Sequence, residues 1–179
     1  MLELTIPTTK MFNEQTGEIT VLGGGTIKLE HSLAAISKWE AIVKKPFLEQ
    51  ESMTAQQLLL YIKCMSEDTI DDKILAGITD KNIEDISDYI SDSMTATWFK
   101  EDHKKTGGKR IVTSELIYYW MATVGIPFEC DKWHFNRLMT LIRIAGEEQK
   151  PSEKMDKKAL VKRNRSLNAA RRAKMHSRG

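Results

Sequence analysis

Hydrophobic positions along this chain follow two periods, one before Ser32 and another after it. Leu2, Leu4 and Ile6 alternate with polar residues and the run stops at Pro7, the period-2 signature of a half-buried strand. Glu14-Gln15-Thr16-Gly17 is a turn candidate ahead of a second run, EITVL. Gly23-Gly24-Gly25 then separates that run from TIKLEH. Together these predict a hairpin or small antiparallel sheet. The glycine triplet has no GK[ST] continuation and is read as a plain loop rather than a phosphate cradle.

From Ser32 the period becomes helical. Ser32 can cap a helix whose apolar residues are Leu33, Ile36, Trp39 and Val43, closed by Lys44, Lys45 and Pro46. Thr54-Ala55-Gln56-Gln57 matches a capping box ahead of LLLYIKCM. Residues 67–77 read as a short helical turn ending at Gly77. Thr79 or Asp80 then opens a helix with Ile83, Ile86 and Ile90 on one face and Asp80, Glu84, Asp85 and Asp88 on a solvated other face. KEDHKKTGGKR, residues 100–110, is a polar loop. Thr113 caps TSELIYYWMATVG, which Gly125 and Pro127 end. Asp131 caps DKWHFNRLMTLIRIAG, which stops at Gly146. The short link between these two helices predicts an antiparallel pair. Their aromatic density (Tyr118, Tyr119, Trp120, Phe128, Trp133, Phe135) marks them as the centre of the core. Arg137 and Arg143 are expected to lay their stems on apolar neighbours or pair with Asp85, Asp88 or Glu115.

The expected class is therefore α+β, mainly α: a small N-terminal antiparallel β element at 1–30, a helical body at 31–149 forming one domain with it, and a basic C-terminal helix at 150–179. Composition sharpens the last boundary. The chain has 179 residues and a net charge of +2. Residues 150–179 hold 11 of its 27 Lys/Arg and 2 of its 25 Asp/Glu, so they carry +9 and the first 149 residues carry −7. Such polarity speaks of partners and association rather than of fold. No apolar stretch is long enough for a membrane span. The N-terminus lacks a signal-peptide pattern. Two cysteines give no disulfide framework, which fits a reducing compartment.

Candidate chemistry is sparse. Cys130 and His134 form a C-x3-H pair, with Cys64 and His103 the other residues that a Cys2His2 zinc site would need. No paired ligand motif is present, so no metal is expected. Cys130 as a nucleophile with His134 lacks a visible orienting residue or oxyanion motif. No catalytic residue and no cofactor are assigned, and the chain is read as non-enzymatic. Trp39, Trp98, Trp120 and Trp133 read chiefly as core, with Trp98 and Phe99 as exposed aromatic candidates.

The arm supplies the strongest partner signal. Lys162, Arg163, Arg165, Arg171 and Arg172 are the residues expected to touch a partner. An acidic protein surface, including that of a neighbouring copy, suits them. Nucleic acid is a further candidate because they could neutralise phosphates, although the arm has no aromatics for base stacking. A merely solvated helix is the plain alternative, since few apolar residues are available to bury.

TIKLEHSLAAISKWEAIVKKPFL, LLLYIKCM, DYISDSMTATWF, TSELIYYWMATVGIPFECDKWHFNRLMTLIRI and RNRSLNAARRAKMHSRG resemble a family of small tailed-bacteriophage proteins encoded among virion and tail assembly genes, tail-assembly-chaperone-like or structural. The resemblance implies an assembly role without catalytic residues. Its partners would be phage tail proteins, with homo-oligomers included, and its place the host cytoplasm, or the virion for a structural subunit. A chaperone of this kind needs an adaptable apolar surface, for which the nine methionines, among them Met53, Met65, Met94, Met121 and Met139, are candidates.

Overall fold

A computed structural model describes residues 1–14, 17–99, 111–149 and 157–175. The expected loop at 100–110 and part of the turn at 14–17 lie outside them. The chain divides into two units, Met1–Glu147 and Glu148–Gly179. The fold is mainly helical with a small antiparallel β element at the N-terminus.

Four strands make that element: β1 Leu2–Ile6, β2 Thr9–Asn13, β3 Glu18–Leu22 and β4 Gly25–Leu29. β1 pairs with β4 and β2 with β3, as separate two-stranded ladders. Their registers, Leu2 with Leu29 and Thr9 with Leu22, have the same offset, so the ladders are two halves of one hairpin. The break falls at Pro7, which cannot donate to a ladder, and opposite it at Gly23 and Gly24, both with positive φ. β1 and β4 turn Leu4, Ile6, Ile27 and Leu29 into the core. β2 was not legible beforehand.

Helix α1, Leu33–Val43, is capped by Ser32, whose hydroxyl accepts from the Ala35 amide, and it ends at Lys44 in the left-handed region. α2, Ala55–Met65, has the full capping box of Thr54 and Gln57. α3 is the short Asp72–Leu75, and α4, Asp80–Ser91, is capped by Thr79 with Asn82. α5 is Ser114–Val124, α6 Phe135–Glu148 and α7 Lys157–Met175. Trp39, Tyr61, Leu33, Ile36 and Ile62 are fully buried. The core is thus centred on α1, α2 and the β1–β4 pair.

That centre corrects the expectation that the α5–α6 aromatics form it. Tyr119, Phe128 and Trp133 are exposed, and only Phe135 of the group is buried. α5 packs mainly on α1 and on a 3-10 segment, Phe128–Lys132, instead of pairing along α6. Glu40 of α1 explains this. Its carboxylate accepts from the Ser114 amide (2.8 Å), the Ser114 hydroxyl (2.5 Å) and the Phe47 amide (2.8 Å). This clamp ties the start of α5 to α1, and Thr113, the residue at the cap position, makes no side-chain cap bond.

The second helix also begins later than expected. Asp131 lies in the 3-10 segment, where it accepts from the Tyr118 hydroxyl at 2.8 Å, and does not cap α6. A backbone bridge between Ser32 and His134, with the Phe135 amide bonded to the His31 carbonyl (2.6 Å), holds this stretch extended against the entry to α1. Helix geometry can start only beyond it. At the other end α6 continues through Gly146 to Glu148, because a single glycine costs a helix only about 1 kcal/mol.

Candidate functional site

Cys130 and His134 are both buried. His134 Nε2 faces the Tyr89 carbonyl at 3.0 Å, and its Nδ1 has no hydrogen-bond partner. Neither ring nitrogen therefore engages the Cys130 thiol as a base. His31 lies beside it, with ring centroids 5.2 Å apart and its Nδ1 2.6 Å from the Tyr61 hydroxyl. Burial first, and the neighbouring His134 second, push His31 down to about 3 from the usual 6.5. Burial also raises the Cys64 thiol against the pull of Lys38, the opposite of what a reactive thiolate needs. Among the described residues no group of three or more His, Cys, Asp or Glu could hold a metal ion. His103 lies outside them. Sequence reasoning missed the His31–His134 pair, because 102 residues of chain lie between two side chains that only the fold brings together.

The surface is more informative. Trp98 is 81% exposed. Phe99 beside it is half-buried, with the Arg143 guanidinium 3.9 Å from its ring centroid. Arg137 stacks on Trp133 at 4.5 Å. Both arginines thus meet aromatic faces in place of the anticipated Asp85, Asp88 or Glu115, an arrangement open to a cation whose stem lies on apolar surface. Trp98 stands clear of this pairing.

The outer half of the hairpin is the larger apolar feature. Phe12 sits opposite Ile19, and Lys10 opposite Val21. Cross-strand pairs and alternate residues share a face, so Phe12, Ile19 and Val21 line one side of the ribbon, with Met11 on the other. Phe12 is 64% and Ile19 63% exposed. The body fixes the base of this arm tightly. The Gly23 amide bonds the Lys73 carbonyl at 2.8 Å, and a Cβ on Gly77 would come within 2.3 Å of Gly23 Cα.

The methionines divide differently from the expectation of an adaptable surface. Met65 and Met121 are core residues and Met53 and Met139 are half-buried, and the exposed methionines among the described residues are Met1, Met11, Met94 and Met175. Leu59, Leu60 and Leu75 line a shallow cleft of about 360 Å³, with Lys63 and Asp72 joined across it at 2.5 Å. No membrane-crossing helix, one long and apolar enough, exists among the described residues.

In the second unit, α7 places Lys162, Arg163, Arg165, Arg171 and Arg172 on one continuous 19-residue helix, and every side chain from Val161 to Met175 is exposed.

No protein-family model, curated protein or solved structure matches the chain.

Proposed function

We propose that this protein is a non-enzymatic tail assembly protein of a tailed bacteriophage that binds a tail component, a tape-measure protein or tube subunit, during virion morphogenesis. The observation that carries this reading is the uncovered apolar ribbon of Phe12, Ile19 and Val21, held on a glycine-packed base. Folded proteins seldom leave such a face bare without a partner for it. The resemblance of the quoted segments to phage assembly proteins supplies the biological setting, the host cytoplasm. Trp98 adds a second exposed anchor of the type enriched at interface centres.

The test is a pull-down from infected cells with the full chain, with Phe12→Ser/Ile19→Ser, and with a chain ending at Lys150. A tail protein captured by the full chain and lost with the hairpin variant supports the reading. Capture of no tail protein by the full chain sinks it. Mass spectrometry of purified particles separates a chaperone, absent or present in traces, from a permanent tail, neck or baseplate subunit, present in stoichiometric amount. A second reading, contact through the basic arm, is favoured by the exposure of α7.

A further inference from the structure

The charge on α7 has a geometry of its own. At about 100° per residue, Lys162, Arg165 and Arg172 fall within an arc of about 80°, and Arg163, Arg171 and Lys174 within another of about 80°. The two arcs are centred about 180° apart. Between them on one side lie Asn164 and Asn168 together with Val161 and Met175, and on the other Ser166, Ala170 and Ala173, while Leu167 falls within the second cationic arc. The helix is thus cationic on both flanks, amide-bearing along one edge and small along the opposite edge. It contains no Asp or Glu between Lys157 and Met175.

This two-sided distribution of charge bears on the partner. A flat acidic protein surface reaches one side of a helix and leaves the opposite flank in solvent. A duplex major groove has phosphates on both walls and base edges on its floor. At about 12 Å across, it admits a helix of about 10–12 Å diameter. Asparagine amides are the side chains that pair with adenine N6 and N7 there. Lys162 with Arg165, and Arg171 with Lys174, are also like charges three residues apart, which weakens an isolated helix by about 0.2–0.5 kcal/mol per pair. Phosphates on either side relieve both repulsions at once.

We propose that α7 is a duplex nucleic-acid-binding helix that enters a major groove with Asn164 and Asn168 toward the bases and its two cationic flanks toward opposite phosphate walls. This is independent of which tail component the hairpin binds.

The experiment uses the full chain and a labelled 20-base-pair DNA duplex, with fluorescence anisotropy from 50 to 200 mM salt and polyglutamate as competitor. Contact by four to six phosphates predicts a slope of log K against log salt of about −4 to −5. Lys162→Gln/Arg165→Gln and Arg171→Gln/Lys174→Gln should each flatten that slope by about 2. Asn164→Ala/Asn168→Ala should leave the slope unchanged and reduce the discrimination among duplex sequences. No binding at 50 mM salt overturns the proposal. So does loss on one flank only, or displacement by polyglutamate at an equal charge concentration, either of which assigns the arm to an acidic protein surface. Unchanged thermal unfolding of the first unit in both flank variants confirms that the losses arise at α7.

Discussion

Removing the carboxylate of Glu40 should loosen the fold where α5 meets α1. Glu40 is 8% exposed and Ser114 1%. One oxygen accepts from the Phe47 amide and the other from the amide and hydroxyl of Ser114. A hydrogen bond to a charged group contributes about 1.5–3 kcal/mol, and a buried donor left without a partner costs about 1–3 kcal/mol. The three bonds share one acceptor group and do not add. The Phe47 amide can regain water through its partly exposed surroundings, whereas Ser114 cannot. Glu40→Ala is therefore expected to cost about 4 kcal/mol, a large share of the ~5–15 kcal/mol typical of a domain. Glu40→Gln keeps the shape but turns an NH2 group against one of the donors, for about 2 kcal/mol. Ser114→Ala loses only the hydroxyl bond to the carboxylate, about 1.5 kcal/mol. Equilibrium urea unfolding followed by circular dichroism and tryptophan fluorescence, with the m-value checked for constancy, reads all three. Glu40→Gln within about 0.5 kcal/mol of wild type would refute the reasoning, because a neutral amide would then serve as well as the carboxylate.

Gly77→Ala should destabilise the seat of the hairpin by about 2 kcal/mol or more, since its Cβ meets Gly23 backbone that cannot swing aside; hydrogen exchange should rise first in β2 and β3, and unchanged protection there would contradict the packing. His31 is held near 3, so the unfolded chain binds the extra proton between pH 6.5 and 3. Its stabilising contribution is complete above pH 6.5 and declines as pH falls toward 3, at about 1.4 kcal/mol per pH unit. Urea midpoints from pH 7 to 5 should drop more steeply for wild type than for His31→Gln, and parallel curves would argue against a buried neutral imidazole. Trp39→Phe removes the indole bond to the Gln57 carbonyl (3.1 Å) and should cost about 1 kcal/mol beyond the change in packing, checked by a thermal melt. Phe12→Ser/Ile19→Ser should leave the urea midpoint within about 0.5 kcal/mol of wild type, because exposed side chains contribute little; a large loss would show that the hairpin face is structural.

The elements were legible wherever the cause is local. Period-2 alternation at Leu2, Leu4 and Ile6, the hydroxyl caps of Ser32, Thr54 and Thr79, and the glycine stop at Gly125 act within one turn of chain, so adjacent residues report them. The class, mainly helical with a small antiparallel β element, follows from these. Asp131 misled because a tertiary contact outweighed the local signal, the Ser32–His134 bridge delaying α6, and Gly146 misled because a single glycine costs a helix only about 1 kcal/mol.

The sequence by itself determined the charge division between residues 1–149 and 150–179 and the helical spacing of the cations on α7, because charge and helical period are properties of residue order alone. Only the tertiary structure decided which aromatics are core and which are surface. Trp39 is wholly covered although Lys38 and Glu40 flank it in the chain, whereas Trp98 is bare although Phe99 follows it. It alone joined Glu40 to Ser114, His31 to His134 and Gly23 to Gly77. Burial and pairing of this kind depend on what distant segments bring to a residue, and no window of neighbouring residues contains that information.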